Sequence, residues 1–273
     1  MPELPEVEIV CRNLSEILSP PAKLTGSHFW RKDLRYKIPV AKIQKLKGKT
    51  LKTIKRRAKY ILFDFGETVL ISHLGMTGSW REHRGELKAL SPQKHDHVAL
   101  CFGKNQWLIY NDPRRFGFAE VISSKNIFKY FTKYGIEPLE ITDVSNIIEV
   151  FSSKSAPIKS VIMQQDYLVG VGNIYASEAL FKARIHPLRR ACDISDKEYK
   201  LLLKQIQKIL TDAIEHGGST IQNYRNAKNQ PGEFQQRFAV YDRFGLECPQ
   251  CRAKILVEKV AGRSTFFCST CQK

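Results

Sequence analysis

Four cysteines near the C-terminus, Cys248, Cys251, Cys268 and Cys271, fall in the spacing C-x2-C-x16-C-x2-C. Thiolates suit a tetrahedral divalent ion, and two C-x2-C pairs separated by a segment of this length wrap four sulfurs around one Zn2+. A site closed by four cysteines leaves no open position, so its metal is structural and not catalytic. At the other end stand Pro2 and Glu3. Loss of Met1 makes Pro2 the terminus, a secondary amine. An α-amino group has a reference pKa of about 8, against about 10.4 for lysine, so more of it is neutral at pH 7. A neutral amine attacks electrophilic carbon and forms a Schiff base, with Glu3 beside it as acid or base. On composition alone the same pair reads as an ordinary polar chain end.

Further stretches carry groups of chemical interest. Arg56-Arg57-Ala58-Lys59-Tyr60 reads as a charged strand face, unless Lys59 points into a cleft and serves a proton or a phosphate. His73-Leu74-Gly75-Met76-Thr77-Gly78 places Met76 on a tight glycine loop. Lys94-His95-Asp96-His97 invites a metal, but alternate residues of one strand do not close a site, and His95 reads better as a nucleic-acid contact. Asn111-Asp112-Pro113-Arg114-Arg115-Phe116-Gly117 is a loop with guanidinium and aromatic side by side. Arginine can bond a base edge and phenylalanine can wedge between base steps. Gly170-Val171-Gly172-Asn173-Ile174-Tyr175-Ala176-Ser177-Glu178 leads into a helix whose free N–H groups suit a phosphate; its Gly-x-Gly alone does not imply a nucleotide cofactor.

The elements that must hold these groups follow from periodicity. Pro5 and the acidic Glu6 and Glu8 suit a first helical turn, and Val7, Val10, Cys11, Leu14, Ile17 and Leu18 put an apolar stripe on that helix. Residues 22 to about 122 read as short strands with turns between them, among them a hairpin turning at Gly103-Lys104-Asn105. Such a pattern predicts a sandwich or barrel. Gly135-Ile136-Glu137-Pro138-Leu139 reads as a linker, and the pattern from there to about 230 is helical. Ser195-Asp196-Lys197-Glu198 is a capping box and Gly217-Gly218 a stop. Lys254–Val260 and Ser264–Phe267 read as strands joined by Ala261-Gly262-Arg263, with Arg263 at the tip of a zinc-pinned hairpin.

With 44 Lys+Arg against 27 Asp+Glu and a net charge of +17, the chain expects a polyanionic partner, nucleic acid first, although a membrane surface or a ribosome also fits. No apolar run reaches the ~20 residues that span a bilayer, and the acidic start is unlike a secretory signal. The expectation is a soluble, cytoplasmic protein. Paired C-x2-C cysteines argue against a disulfide framework, and Cys11, Cys101 and Cys192 are assigned no role.

In this order, the Pro-Glu-Leu-Pro-Glu-Val-Glu leader and the RRAKY, HLGMTG, KHDH, DPRRFG and GVGNIYASE segments resemble the formamidopyrimidine-DNA glycosylases, and the Val-Ala-Gly-Arg string before Phe-Cys resembles their zinc finger. The resemblance runs from end to end. It implies an α+β fold: an N-terminal β-sandwich with flanking helices over 1–130, a helix–two-turn–helix domain over 131–236 and a β-hairpin zinc finger over 237–273. It implies excision of oxidised purines, 8-oxoguanine and formamidopyrimidines, from double-stranded damaged DNA. Pro2 would be the nucleophile and Glu3 the proton carrier, with Lys59 and Arg263 assisting strand cleavage by β,δ-elimination. Met76, Arg114 and Phe116 would fill the void behind the extruded nucleotide, with Arg114 facing the orphaned cytosine. His73, His95, Lys154, Lys159, Asn173 and Tyr241 would contact DNA or the lesion. The implied protein is a bacterial, nucleoid-associated monomer with one structural Zn2+ and no nucleotide cofactor. Two rivals stand beside it. The endonuclease VIII branch shares Pro2, Glu3 and the finger but prefers oxidised pyrimidines; the Leu-Pro-Glu-Val-Glu leader and the full Met76, Arg114, Phe116 set favour the purine branch. A zinc-containing DNA-binding regulator without chemistry is the other, and an intact Pro2, Glu3 and Lys59 argue against it.

Overall fold

The first helix is capped by the residues that stand next to the chain end. Glu3 is its N-cap, and the Glu3 N–H donates to Glu6 Oε2 at 2.9 Å, closing a capping box. Helix α1 (Leu4–Leu18) then buries Leu4, Val7, Val10, Cys11, Leu14 and Leu18 along one face and stops at Ser19, which turns left-handed at φ 46°. In this computed structural model residues 1–86, 92–219 and 232–273 are described. They form two compact units: Met1–Thr132 with the described residues of Gly217–Glu233, and Lys133–His216 with Phe234–Lys273.

In the first unit α1 is followed by β1 (Ala22–Phe29), α2 (Val40–Gln44), β2 (Thr50–Leu51), β3 (Thr53–Arg57), β4 (Tyr60–Asp64), β5 (Thr68–His73), β6 (Ser79–Arg84), β7 (Asp96–Phe102), β8 (Gln106–Asn111), β9 (Phe118–Ser123) and α3 (Ile127–Phe131). The strands make two antiparallel sheets, ordered β2-β1-β7-β8-β6 and β3-β4-β5-β9. Leu24, Leu100, Phe102 and Leu108 of one sheet meet Ile54, Ile61, Phe63 and Leu70 of the other in a core that α1 closes with Val7, Val10 and Leu14. Phe63 and Trp80 touch edge-on across the sheets, 5.6 Å between ring centroids. The sandwich expected from the strand pattern is present, and β7 turns into β8 at Gly103-Lys104-Asn105. The short helix α2, inside the stretch read as strands, follows Pro39 and buries Ile43.

The second unit holds α4 (Ser145–Ser152), α5 (Ile158–Ile162), α6 (Asn173–Ala183), α7 (Asp196–Glu215), β10 (Leu256–Val260) and β11 (Arg263–Phe267). Ser195 and Glu198 close the expected capping box on α7. Arg189, 2.6 Å from Glu198, holds that carboxyl down at about 2. Strands β10 and β11 pair antiparallel, and Arg263 opens β11 opposite Val260, with Ala261-Gly262 as the turn. This hairpin region shares a core with α6 through Phe181, Ala239, Val240, Ile255 and Cys268. The stretch read as a linker is different in the structure. Ile136 bridges Leu168 in parallel, its N–H reaching the Tyr167 carbonyl at 2.9 Å, and Gly135 lies so close to the Tyr167 backbone that a Cβ has no room. Only a glycine lets these two backbones meet. The helical reading extended to about 230; residues 220–230 of it lie outside the described residues.

Candidate active site

The chain end is built into the first unit. Met1 is 55% exposed, whereas Pro2 is buried and Glu3 is 3% exposed. Burial lowers the pKa of the Met1 α-amine below 8.0 against the pull of the Glu3 and Glu6 carboxylates, and the charges of Lys59 and Arg114 lower it further. Glu6 holds the end from two sides: Oε2 accepts the Glu3 N–H, and Oε1 accepts the Ser219 N–H at 2.8 Å and its hydroxyl at 2.9 Å. Lys59, 7% exposed, is the second residue of the turn between β3 and β4, where Ala58 adopts φ 53°. That strained turn is clasped by Arg56, whose Nη1 donates to the Ala58 carbonyl at 3.0 Å while Nε pairs with Glu8 of α1 at 3.0 Å. The charged strand is therefore not a solvated face: the Arg56 side chain is 7% exposed and ties the Lys59 turn to α1, the helix that Pro2 precedes.

His73 ends β5. Its Nδ1 accepts the Gly75 N–H at 3.0 Å, so the neutral ring carries its proton on Nε2. Burial, aided by the Lys59 charge, pushes its pKa down to about 4, so it is a neutral donor at pH 7. The loop that follows presents Met76 at 38% exposure, and the loop after β8 presents Arg114 and Phe116, the latter at 43%. The Arg114 guanidinium lies over the Phe116 ring, 4.8 Å from its centroid. The two loops touch backbone to backbone, because a Cβ on Gly75 would collide with the Phe116 carbonyl. Gly78 and Gly117 both crowd the Tyr110 hydroxyl, where no side chain fits.

The KHDH stretch is occupied by structural work. Asp96 pairs with Arg81 at 2.6 Å, and buried His97 reaches the Asp112 carbonyl through Nε2 at 2.8 Å. His95 is half-buried at φ 78°, and its carbonyl accepts the Asp112 N–H at 3.0 Å.

In the second unit, Asn173 opens α6 and its Nδ2 donates to the Ser264 carbonyl at 2.9 Å, next to the exposed Arg263. Lys159 is 1% exposed and donates to Thr265 Oγ1 at 2.9 Å and to the Ser264 carbonyl at 3.4 Å. Its ammonium thus lies inside the unit, against the strand that begins with Arg263. Lys154 is half-buried, with Nζ 5.4 Å from the Tyr167 ring centroid. Tyr241 is fixed by its own N–H, which Glu178 accepts at 2.8 Å together with the N–H groups of Ala239 and Val240. Burial raises the Glu178 pKa despite these three bonds.

The four finger cysteines converge, their sulfurs all within 4.8 Å of one another, with Cys248–Cys271 at 3.8 Å and Cys251–Cys268 at 3.5 Å. These separations are far too long for disulfides. They approach the ~3.8 Å edge of a sulfur tetrahedron around Zn2+ at about 2.3 Å. The donor set fits one structural zinc, held by Cys248, Cys251, Cys268 and Cys271.

Sequence reasoning did not single out Thr77, Asp112 or Glu178, and it read Glu6 only as a first-turn acid and not as the group that holds Ser219. Asp112 is 0% exposed although it precedes an exposed Pro-Arg-Arg-Phe run, and that contrast comes only from the fold.

Comparison with known proteins covers both units. The Formamidopyrimidine-DNA glycosylase N-terminal domain matches residues 1–119, the Formamidopyrimidine-DNA glycosylase H2TH domain residues 134–225, and the zinc finger found in FPG and IleRS residues 245–273. The formamidopyrimidine-DNA glycosylase of Bdellovibrio bacteriovorus is 42% identical over all of both chains, and that of a Wolbachia from Brugia malayi 39% over all of both. Among solved structures, Lactococcus lactis Fpg with Fapy-dG-containing DNA superposes with a TM-score of 0.91 at 36% identity over 100% of each chain. The same enzyme with abasic-site DNA gives 0.91 over 99% of each. End-to-end identity at this level, with the same three domain families in the same order, places the chain in the formamidopyrimidine-DNA glycosylase family.

Proposed function

We propose that this chain excises oxidised purines, 8-oxoguanine and formamidopyrimidines, from duplex DNA and then cleaves the strand at the abasic site. The observation that carries the reading is the buried chain end, whose amine has a lowered pKa and shares its surroundings with Glu3, Lys59 and Arg114. On removal of Met1, Pro2 inherits that position. Its nitrogen lone pair attacks C1′ of the damaged nucleotide, and the glycosidic bond breaks with its electron pair leaving on the base, which takes up a proton. Glu3 manages the protons as the sugar ring opens to an iminium. The iminium acidifies the C2′ proton. Its loss expels the 3′-phosphate by β-elimination, and a second elimination expels the 5′-phosphate. Lys59 and Arg263 assist these steps as phosphate-binding cations.

Extruding a nucleotide costs roughly a few kcal/mol in stacking and pairing. Met76, Arg114 and Phe116 enter the gap and recover part of it, with Arg114 offering donors to the unpaired cytosine. His73, His95, Lys154, Asn173 and Tyr241 are assigned to the DNA backbone. Lys159 is assigned to the same surface through the strand it braces, since its ammonium bonds Thr265 and Ser264. The zinc fixes the hairpin that carries Arg263 and takes no part in the chemistry. The partner is damaged double-stranded DNA, and the excess of basic residues supplies non-specific attraction to it. No helix among the described residues is long and apolar enough to cross a membrane. The reading includes a monomer that needs no nucleotide cofactor and works in the cytoplasm at the nucleoid.

The test is borohydride trapping on a duplex with 8-oxoguanine opposite cytosine, followed by mass spectrometry of the adduct. An adduct on Pro2 supports both the lyase and its nucleophile. A lysine adduct keeps the enzyme class and removes Pro2. Trapping only on thymine glycol moves the specificity to oxidised pyrimidines.

A further inference from the structure

Thr77 has no place in the chemistry above, yet its hydroxyl is bonded on both sides. It donates to Asp112 Oδ1 at 2.5 Å and accepts the Arg114 N–H at 3.1 Å. Thr77 follows Met76 directly, so one hydroxyl joins the Met76 loop to the Arg114 loop. Asp112 completes the joint from beneath. It is 0% exposed, and its Oδ2 accepts the Gly117 N–H at 2.7 Å and the Tyr110 hydroxyl at 3.4 Å. Its main chain is held by His95 and His97. Burial and the adjacent Asp112 push the Tyr110 phenol upward, which keeps it a protonated donor. The glycines at 75, 78 and 117 let the two loops close around this network without an intervening side chain.

We infer that the Met76 loop and the Arg114–Phe116 loop are one rigid reading head, and that Thr77 and Asp112 are the positioning residues that lock them together. The inference rests on the proposed function, in which these loops fill the void and inspect the opposite base. A void filler on one loop and a base reader on another have to arrive in register, because a displacement of about 1 Å at such a site costs on the order of 100-fold in rate. Thr77 supplies that register: the same hydroxyl that faces Asp112 sets the backbone of Arg114. Filling by Met76 and reading by Arg114 are then energetically coupled and not independent.

The coupling is measurable. Single-turnover excision of 8-oxoguanine opposite cytosine and opposite adenine is compared for the full chain and for Thr77→Val, which removes the hydroxyl at similar size, and Thr77→Ser, which keeps it. Cleavage of a preformed abasic site and the melting temperature are recorded for each. Thr77→Val is expected to lower the cytosine-over-adenine preference by about tenfold while abasic-site cleavage changes less than about threefold, and Thr77→Ser is expected to restore the preference. Met76→Ala and Arg114→Ala are expected to be non-additive in the otherwise wild-type chain and additive in the Thr77→Val variant. Where Thr77→Val does not fold, Asp112→Asn, which keeps the shape and weakens the acceptor, is read in the same way. An unchanged opposite-base preference, or equal loss of excision and abasic-site cleavage with a fall in melting temperature, overturns the inference. A wild-type chain inactive on both damaged duplexes removes the proposed function, and the inference with it.

Discussion

Arg114 lies over the face of Phe116, with its guanidinium carbon 4.8 Å from the ring centroid, and both side chains are exposed. A cation over an aromatic face is held by the ring quadrupole, so the two side chains proposed to read the opposite base and to wedge into the stack already rest on each other without DNA. Phe116→Ala removes the wedge and the platform together. It is expected to slow lesion excision by roughly 10- to 100-fold, about 1–3 kcal/mol, in line with the cost of an unfilled, unstacked step. Incision at a preformed abasic site is expected to change much less. Single-turnover kinetics on the two substrates check this, and equal losses on both would remove the wedge role.

His73 gives the first unit a dependence on acid. Its pKa falls from an ordinary 6.5 to about 4, so the unfolded chain binds the extra proton first. The contribution of the neutral ring to stability is complete above pH 6.5 and is lost progressively as the pH falls to about 4, by at most ~3 kcal/mol. Urea midpoints at pH 7.5 and 4.5 are expected to differ more for the wild type than for His73→Asn. A variant with the same acid sensitivity as the wild type counts against this assignment.

Zinc removal is expected to act on the second unit. Cys268 is fully buried in the core that joins the finger to α6. Cys268→Ser or chelation is expected to release the ion, lower the melting temperature and weaken duplex binding by about tenfold or more, since ligand binding is here folding free energy. Metal analysis, thermal melts and binding titrations check the three effects. A chain that keeps its affinity for DNA without zinc shows that the hairpin is not ordered by the metal.

Glu178→Gln tests how Tyr241 is held. The carboxylate accepts three backbone N–H groups, whereas a glutamine turns an NH2 toward some of them. The expected cost is about 1–3 kcal/mol in the second unit, read from denaturant midpoints. In the wild type, burial raises this carboxyl, so it takes up a proton more readily in the fold than in the unfolded chain. That contribution is full at low pH and declines as the pH rises through the raised value.

Much of this organisation is legible in the chain because it is local. The capping box at Ser195 and Glu198, the turn at Gly103-Lys104-Asn105 and the paired cysteines each state their structure within a few residues. The side chains expected to meet DNA stand in short motifs, and motif resemblance is what assigned them. Residues that join distant segments are not legible. Thr77 and Asp112 are 35 positions apart, Lys159 and Thr265 are 106, and Glu6 and Ser219 are 213. No periodicity links such pairs, so the bonds of Lys159 to Thr265 and Ser264 cannot be read from its neighbours in the chain. Gly135 misled for a related reason: glycine marks a flexible linker and a close backbone approach equally well, and only the Tyr167 backbone beside it decides between them.

Glu6 grips the Glu3 amide with one oxygen and Ser219 with the other, and this has a consequence for how rate depends on temperature. The first turn of a helix ordinarily frays, and the proposed nucleophile, Pro2 just ahead of it, would then sample many orientations. Held at both oxygens, this end loses that freedom at folding and not during the reaction. Glu6→Ala therefore belongs in the activation entropy: Eyring plots of abasic-site cleavage are expected to show a more negative intercept with little change in slope, the signature of a reagent that has to be re-aimed at every turnover.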